Sequence, residues 1–134
     1  MFAISAYAPI SLLINAAVTT TTTGNASATT ADLATYASLA ARECMVVVAP
    51  GAMTTCTTAT FTIYECDTTN GTYSAPIAGT TTTTITSTAA ALGTAIAMPV
   101  TIQKRYVNLG ITVNASGSMP VAAFVLAAKR EANS

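Results

Sequence analysis

The sequence predicts an all-β fold: a β-sandwich or jelly roll with an extended N-terminal arm. Three observations carry that expectation. Threonine supplies about a fifth of the chain, and a side chain branched at Cβ suits the pleated surface of a sheet. Thr57 to Glu65 and Arg105 to Val113 alternate in character with period two, which marks half-buried strands. Turn signals such as Pro50-Gly51 and Asn70-Gly71 separate the strand candidates at short intervals, as in sandwiches and barrels. A chain of 134 residues fits one domain.

Residues 1–40 read as the arm, partly irregular, and residues 41–134 as the sandwich domain. The arm mixes apolar residues with a threonine run at Thr19–Thr23. Thr29-Thr30-Ala31-Asp32 predicts the cap of a brief helical turn reaching Leu39. The apolar stretch Pro9–Val18 is interrupted by Ser11 and Asn15 and is too short to cross a membrane. It looks like the apolar part of a secretory signal, with Asn25-Ala26-Ser27-Ala28 in the place of a cleavage site. No Lys or Arg precedes it, so cleavage is not expected.

Strand candidates follow in order. Glu43–Val48 is a compact apolar run ended by Pro50-Gly51. In Thr57–Glu65, Ala59, Phe61 and Ile63 share one face, and Thr58, Thr60, Thr62 and Tyr64 the other. Asp67–Gly71 reads as a turn, because Asn-Gly adopts positive φ readily. Tyr73–Ile77 reads as a short returning segment, with Pro76 favouring an edge. Thr80–Thr88 is either a surface strand that pairs with a neighbour or a flexible connector, since its two faces look alike. Met98-Pro99, within Ala95–Ile102, predicts a strand break or an edge. In Arg105–Val113, Val107, Leu109, Ile111 and Val113 face one way; Tyr106, Asn108, Gly110 and Thr112 face the other. Asn114–Pro120 is a turn. Val121–Ala128 is apolar on both faces, as a strand covered on both sides would be.

Charge is scarce: 7% of residues, with a formal net charge of zero. Low net charge favours association, so the chain is expected to live against other protein. Its five basic residues form no patch, so nucleic acid is not an expected partner; neither is a membrane. Histidine is absent, which removes the usual general base near neutral pH and any Ser-His-Asp or Cys-His device. Cys44, Cys56 and Cys66 are odd in number and lack a CxxC spacing. They read as small buried hydrophobes, with one disulfide plus a free thiol as the alternative. Neither a catalytic role nor a cofactor or metal is expected.

Weaker patterns have bland readings beside them. Glu43, Glu65 and Asp67 would make a paired-acid site if their strands met; solvated strand ends are the plainer reading. Asp67 with Asn70 lacks an EF-hand spacing, which favours a plain turn over calcium. Asn25, Asn70 and Asn114 open glycosylation triplets of the kind that arise by chance in so Thr- and Ser-rich a chain. Lys104, Arg105 and Tyr106, at the start of a strand, form the candidate partner contact, with Arg105 pairing to a carboxylate. The plainer reading is a solvent-facing strand entry.

The second half carries a resemblance. Thr60–Tyr73 is a strand running into an Asp/Asn/Gly turn, with a return near Pro76-Ile77. Met98-Pro99, the Lys104–Leu109 strand, the Gly117 turn and a final apolar strand follow. Residues 43–128 resemble the small jelly-roll cement, or decoration, proteins of tailed bacteriophages. Arg105-Tyr106 after Pro99 is the sharpest common feature. The resemblance implies a virion structural protein on the outer surface of an icosahedral capsid, assembled in the host cytoplasm. It implies contact with the major capsid protein and with itself, as a homo-dimer or homo-trimer, and no catalytic residue. The rival expectations are another virion component (minor coat, tail or fibre) and a carbohydrate-binding sandwich using Tyr36, Tyr64, Tyr73 and Tyr106.

Overall fold

The computed structural model describes residues 7–18, 31–33, 42–68, 72–87, 94–114 and 117–128. These form nine strands: β1 (Tyr7–Val18), β2 (Ala31–Asp32), β3 (Arg42–Pro50), β4 (Thr58–Cys66), β5 (Ala78–Gly79), β6 (Thr82–Thr86), β7 (Ile96–Ile102), β8 (Tyr106–Val113) and β9 (Met119–Ala128). One sheet has the order β1-β9-β3-β7-β5 and the other β2-β8-β4-β6. Every pairing is antiparallel. The pairs nest: β4 with β6, β3 with β7, β2 with β8 and β1 with β9. A long hairpin wound in this way is the connectivity of a jelly roll, here with β5 added at one edge.

The core lies between the sheets and follows from period two. In β4 the buried side chains are Ala59, Phe61 and Ile63; in β8 they include Val107, Leu109, Ile111 and Val113. Cys44, Val46 and Val48 of β3, Met98, Val100 and Ile102 of β7, and Val121, Ala123 and Val125 of β9 meet them from the other sheet. Burial of each large side chain contributes on the order of 2 kcal/mol. The three cysteines are buried thiols with no disulfide among them, and Cys56 Sγ donates to the Ser118 carbonyl at 3.6 Å. Gly117 lies where the chain before β9 crosses the 54–56 segment; a Cβ there would run into the Cys56 backbone nitrogen.

Several expectations change. The boundary near residue 40 does not coincide with the edge of the sheets, because β1 and β2 precede it and pair with β9 and β8. The β1–β9 register shifts between Pro9 and Ser11 and again between Leu12 and Ile14. Each shift breaks the alternation that would have exposed a strand to inspection. Ala31-Asp32 is strand rather than a helix cap; Leu33 beside it is fully buried, its N–H donating to the Arg105 carbonyl. Residues 34–39 lie outside the described ones, as do 69–71 of the predicted Asp67–Gly71 turn.

Tyr73–Ile77 does not return as a strand along β4. Only Ser74 bridges back, to Glu65, and the chain then crosses to β7 as β5. Pro76 is buried. The threonine tract is a strand, β6, along the edge of the four-stranded sheet. Pro99 does not interrupt β7. It pairs with Met45 on one side, and its carbonyl accepts from Thr80 N on the other. On β9 the outer side chains are not fully covered: Pro120 is exposed, and Ala122, Phe124 and Leu126 are half-buried.

Candidate interaction surface

Lys104 and Arg105 form the turn between β7 and β8, and Tyr106 opens β8. All three are used inside the chain. Arg105 grips Asp32 with two parallel bonds, Nε to Oδ1 at 2.8 Å and Nη2 to Oδ2 at 2.7 Å. The Asp32 carboxylate holds the guanidinium's pKa above its ordinary value, chiefly through this hydrogen bonding. The same guanidinium sits 4.9 Å from the Tyr106 ring centroid, within cation–π range. Lys104 Nζ donates to Ser74 Oγ at 2.8 Å. The carboxylate expected for Arg105 is therefore the chain's own, on β2, and one face of Tyr106 carries a guanidinium.

The acids do not converge as a pair. Glu43 is exposed on β3, in one sheet; Glu65 and Asp67 lie at the end of β4, in the other. Glu65 is only 3% exposed, and its Oε2 accepts from Gln103 N at 2.8 Å and Lys104 N at 3.4 Å. It caps the β7–β8 turn. Among the described residues, no group of three or more Cys, Asp or Glu side chains is placed to hold a metal ion. Nor is any helix long and apolar enough to cross a membrane. Asn25, Asn70 and Tyr36 lie outside the described residues. Asn114 does not stand free: its Oδ1 accepts from Thr57 N and Thr58 N, and its Nδ2 donates to Thr57 Oγ1.

What the geometry offers instead is two outer faces of opposite chemistry. On the five-stranded sheet, register sets apolar residues in ranks across β9, β3 and β7: Leu126–Met45–Pro99, then Phe124–Val47–Ala97, then Ala122–Ala49. Pro99, Ala97 and Ala49 are exposed and the others half-buried. A shallow groove of about 390 Å³ continues this face toward the β5 edge, lined by Glu43, Met45, Gly79, Thr80, Pro99 and Thr101 among others. Among the described residues, Glu43 is the one charged residue lining it.

The outer face of the four-stranded sheet is hydroxylated along β6 and β4, whereas Asn108 and Gly110 of β8 are buried. Thr86 faces Thr58, Thr60 stands between Thr84 on one side and Thr112 on the other, and Thr82 faces Thr62. Thr60 and Thr84 join their hydroxyls at 2.9 Å.

Neither outer face was singled out by motif reasoning. The signal for the apolar one lay in Met45–Val48 and Val121–Leu126, whose outward positions are as apolar as their inward ones. Such a run reads equally well as a strand covered on both sides. No protein-family model and no curated protein matches the chain.

Proposed function

We propose that this chain is a structural protein of a virus particle, decorating the outside of an icosahedral phage capsid by bridging subunits of the major capsid protein. One observation carries the reading: the apolar ranks on the outer face of β9, β3 and β7. A contact face suits a binder that works by breadth. Strand spacing and rise give those ranks an area on the order of 300 Å², within the size range of functional surface patches. The occupant is an uncharged coat-protein surface, because a charged one would be desolvated against Val47 and Phe124 without a counter-charge.

A binder that prefers the assembled shell stabilises it by mass action. An area of about 300 Å² is less than half of what each partner commits to a stable protein interface. A single copy would hold weakly, and linked copies would gain through avidity. This favours association of the chain with itself, as a dimer or trimer.

The experiment is re-addition to expanded shells lacking the chain. Wild-type protein should co-sediment with them at close to coat-protein stoichiometry on a quantitative gel. Val47→Glu should abolish co-sedimentation while leaving the far-UV circular dichroism unchanged. Failure of the wild-type chain to bind such shells sinks the reading. A few copies per particle would point instead to a tail or fibre component.

A further inference from the structure

We infer that β6 is the edge through which two copies of the chain join, each adding the other's β6 to its own four-stranded sheet. The inference names the surface for the self-association proposed above. It starts from the sheet edges, because an edge strand presents unpaired backbone groups to any strand that can approach. Three edges are blunted. β1 slips register twice and contains Pro9. β5 has two residues. β2 has two residues and carries the Asp32–Arg105 ion pair.

β6 has none of these protections. Its five residues are Thr-Thr-Thr-Ile-Thr, without charge or proline, in unbroken register with β4 from Thr82↔Thr62 to Thr86↔Thr58.

The phase of the ladder fixes what this edge offers. Ile63 N donates to Thr81 O, and Ser87 N donates to Thr57 O. Antiparallel pairs that exchange bonds alternate with pairs that do not. Thr83 and Ile85 therefore bond inward to Phe61 and Ala59, while the N–H and C=O of Thr82 and Thr84 point away from β4. Both residues are exposed.

A second copy is the occupant because the edge is its own complement. A two-fold axis beside Thr83 sets Thr82 against Thr84 of the second copy, antiparallel, each pair exchanging a donor and an acceptor. The side chains then meet threonine on threonine, a favourable cross-strand pair. No charge opposes its own image across the axis, and such an isologous contact closes at two copies rather than growing into a filament.

Thr84→Pro tests this, because its N–H points outward and the substitution removes no backbone hydrogen bond to β4, only the exposed hydroxyl contact with Thr60. Sedimentation velocity over a concentration series should show wild-type dimers, with the Thr82 and Thr84 amides protected from hydrogen exchange. Thr84→Pro should weaken self-association more than about tenfold. Thr84→Lys keeps the N–H but sets like charges together at the axis, and it should do the same; it decides the matter if the proline variant does not fold.

A wild-type chain that stays monomeric, with fast exchange at both amides, overturns the inference. So does a dimer that neither variant weakens. Shell binding is scored separately: dimers that ignore shells sink the decoration reading and leave the edge standing, and monomers that rebind shells do the reverse.

Discussion

Asn114 ties the end of β8 to the start of β4 more heavily than any other side chain among the described residues. Its carboxamide accepts from two backbone amides, at 2.8 and 2.7 Å, and donates to the Thr57 hydroxyl. Removing it strands two donors at a strand entry. Asn114→Ala should lower unfolding free energy by about 1–2 kcal/mol, read from urea denaturation; water can rescue part of the loss because the site is exposed. The Arg105–Asp32 fork illustrates the opposite balance. Its geometry is good, but its side chains are 50% and 44% exposed, and solvent screening leaves a surface pair little net stability. Its structural effect is to hold the two-residue strand β2 onto β8 beside the buried Leu33.

At the scale of elements, the closing strand of the jelly roll depends on a close crossing. Gly117 brings the chain ahead of β9 against the 54–56 segment, where Thr54 and Ser118 exchange backbone hydrogen bonds at 2.8 and 2.9 Å. Because a Cβ there would overlap backbone as well as the Cys56 side chain, no rotamer change relieves it. Gly117→Ala should destabilise by about 1–3 kcal/mol, as overpacking does, and should do so in thermal unfolding without altering the strand content of the folded state. β6 shows how an element can be legible in type and illegible in place. A run of threonine announces β structure through its branched side chains, yet identical faces carry no register. Pairing to β4 fixes the phase through Ala59↔Ile85, which buries Ile85.

For the whole molecule, both sheets contribute to one core, so unfolding should be a single cooperative transition. Among the described residues, Phe61 is the largest fully buried side chain. Phe61→Ala should cost about 3–5 kcal/mol, with fluorescence and circular dichroism transitions remaining coincident. The two outer faces divide the remaining chemistry. The five-stranded sheet turns apolar residues outward, the four-stranded sheet threonines, and the open β6 edge belongs to the threonine side. The proposed shell contact on one sheet and the proposed self-association at the edge of the other would therefore not compete for the same residues.

Local pattern was enough to determine the all-β class, the inward rows of β4 and β8, and the lack of histidine chemistry. Each follows from composition or from period two within a single segment. Tertiary structure decided the rest. β1 escaped notice because two register shifts erase its alternation. β2 did because two residues cannot carry a period, and Ala31-Asp32 gained strand geometry only by meeting Tyr106-Val107. Arg105 was readable as a residue seeking a carboxylate, but which carboxylate depended on β2 lying beside β8. The apolar face depended on β9, β3 and β7 being neighbours, a pairing of segments up to some eighty residues apart in the chain. Sequence specifies what each strand can bury; only the wound hairpin decides which strands share a face and which edge is left open.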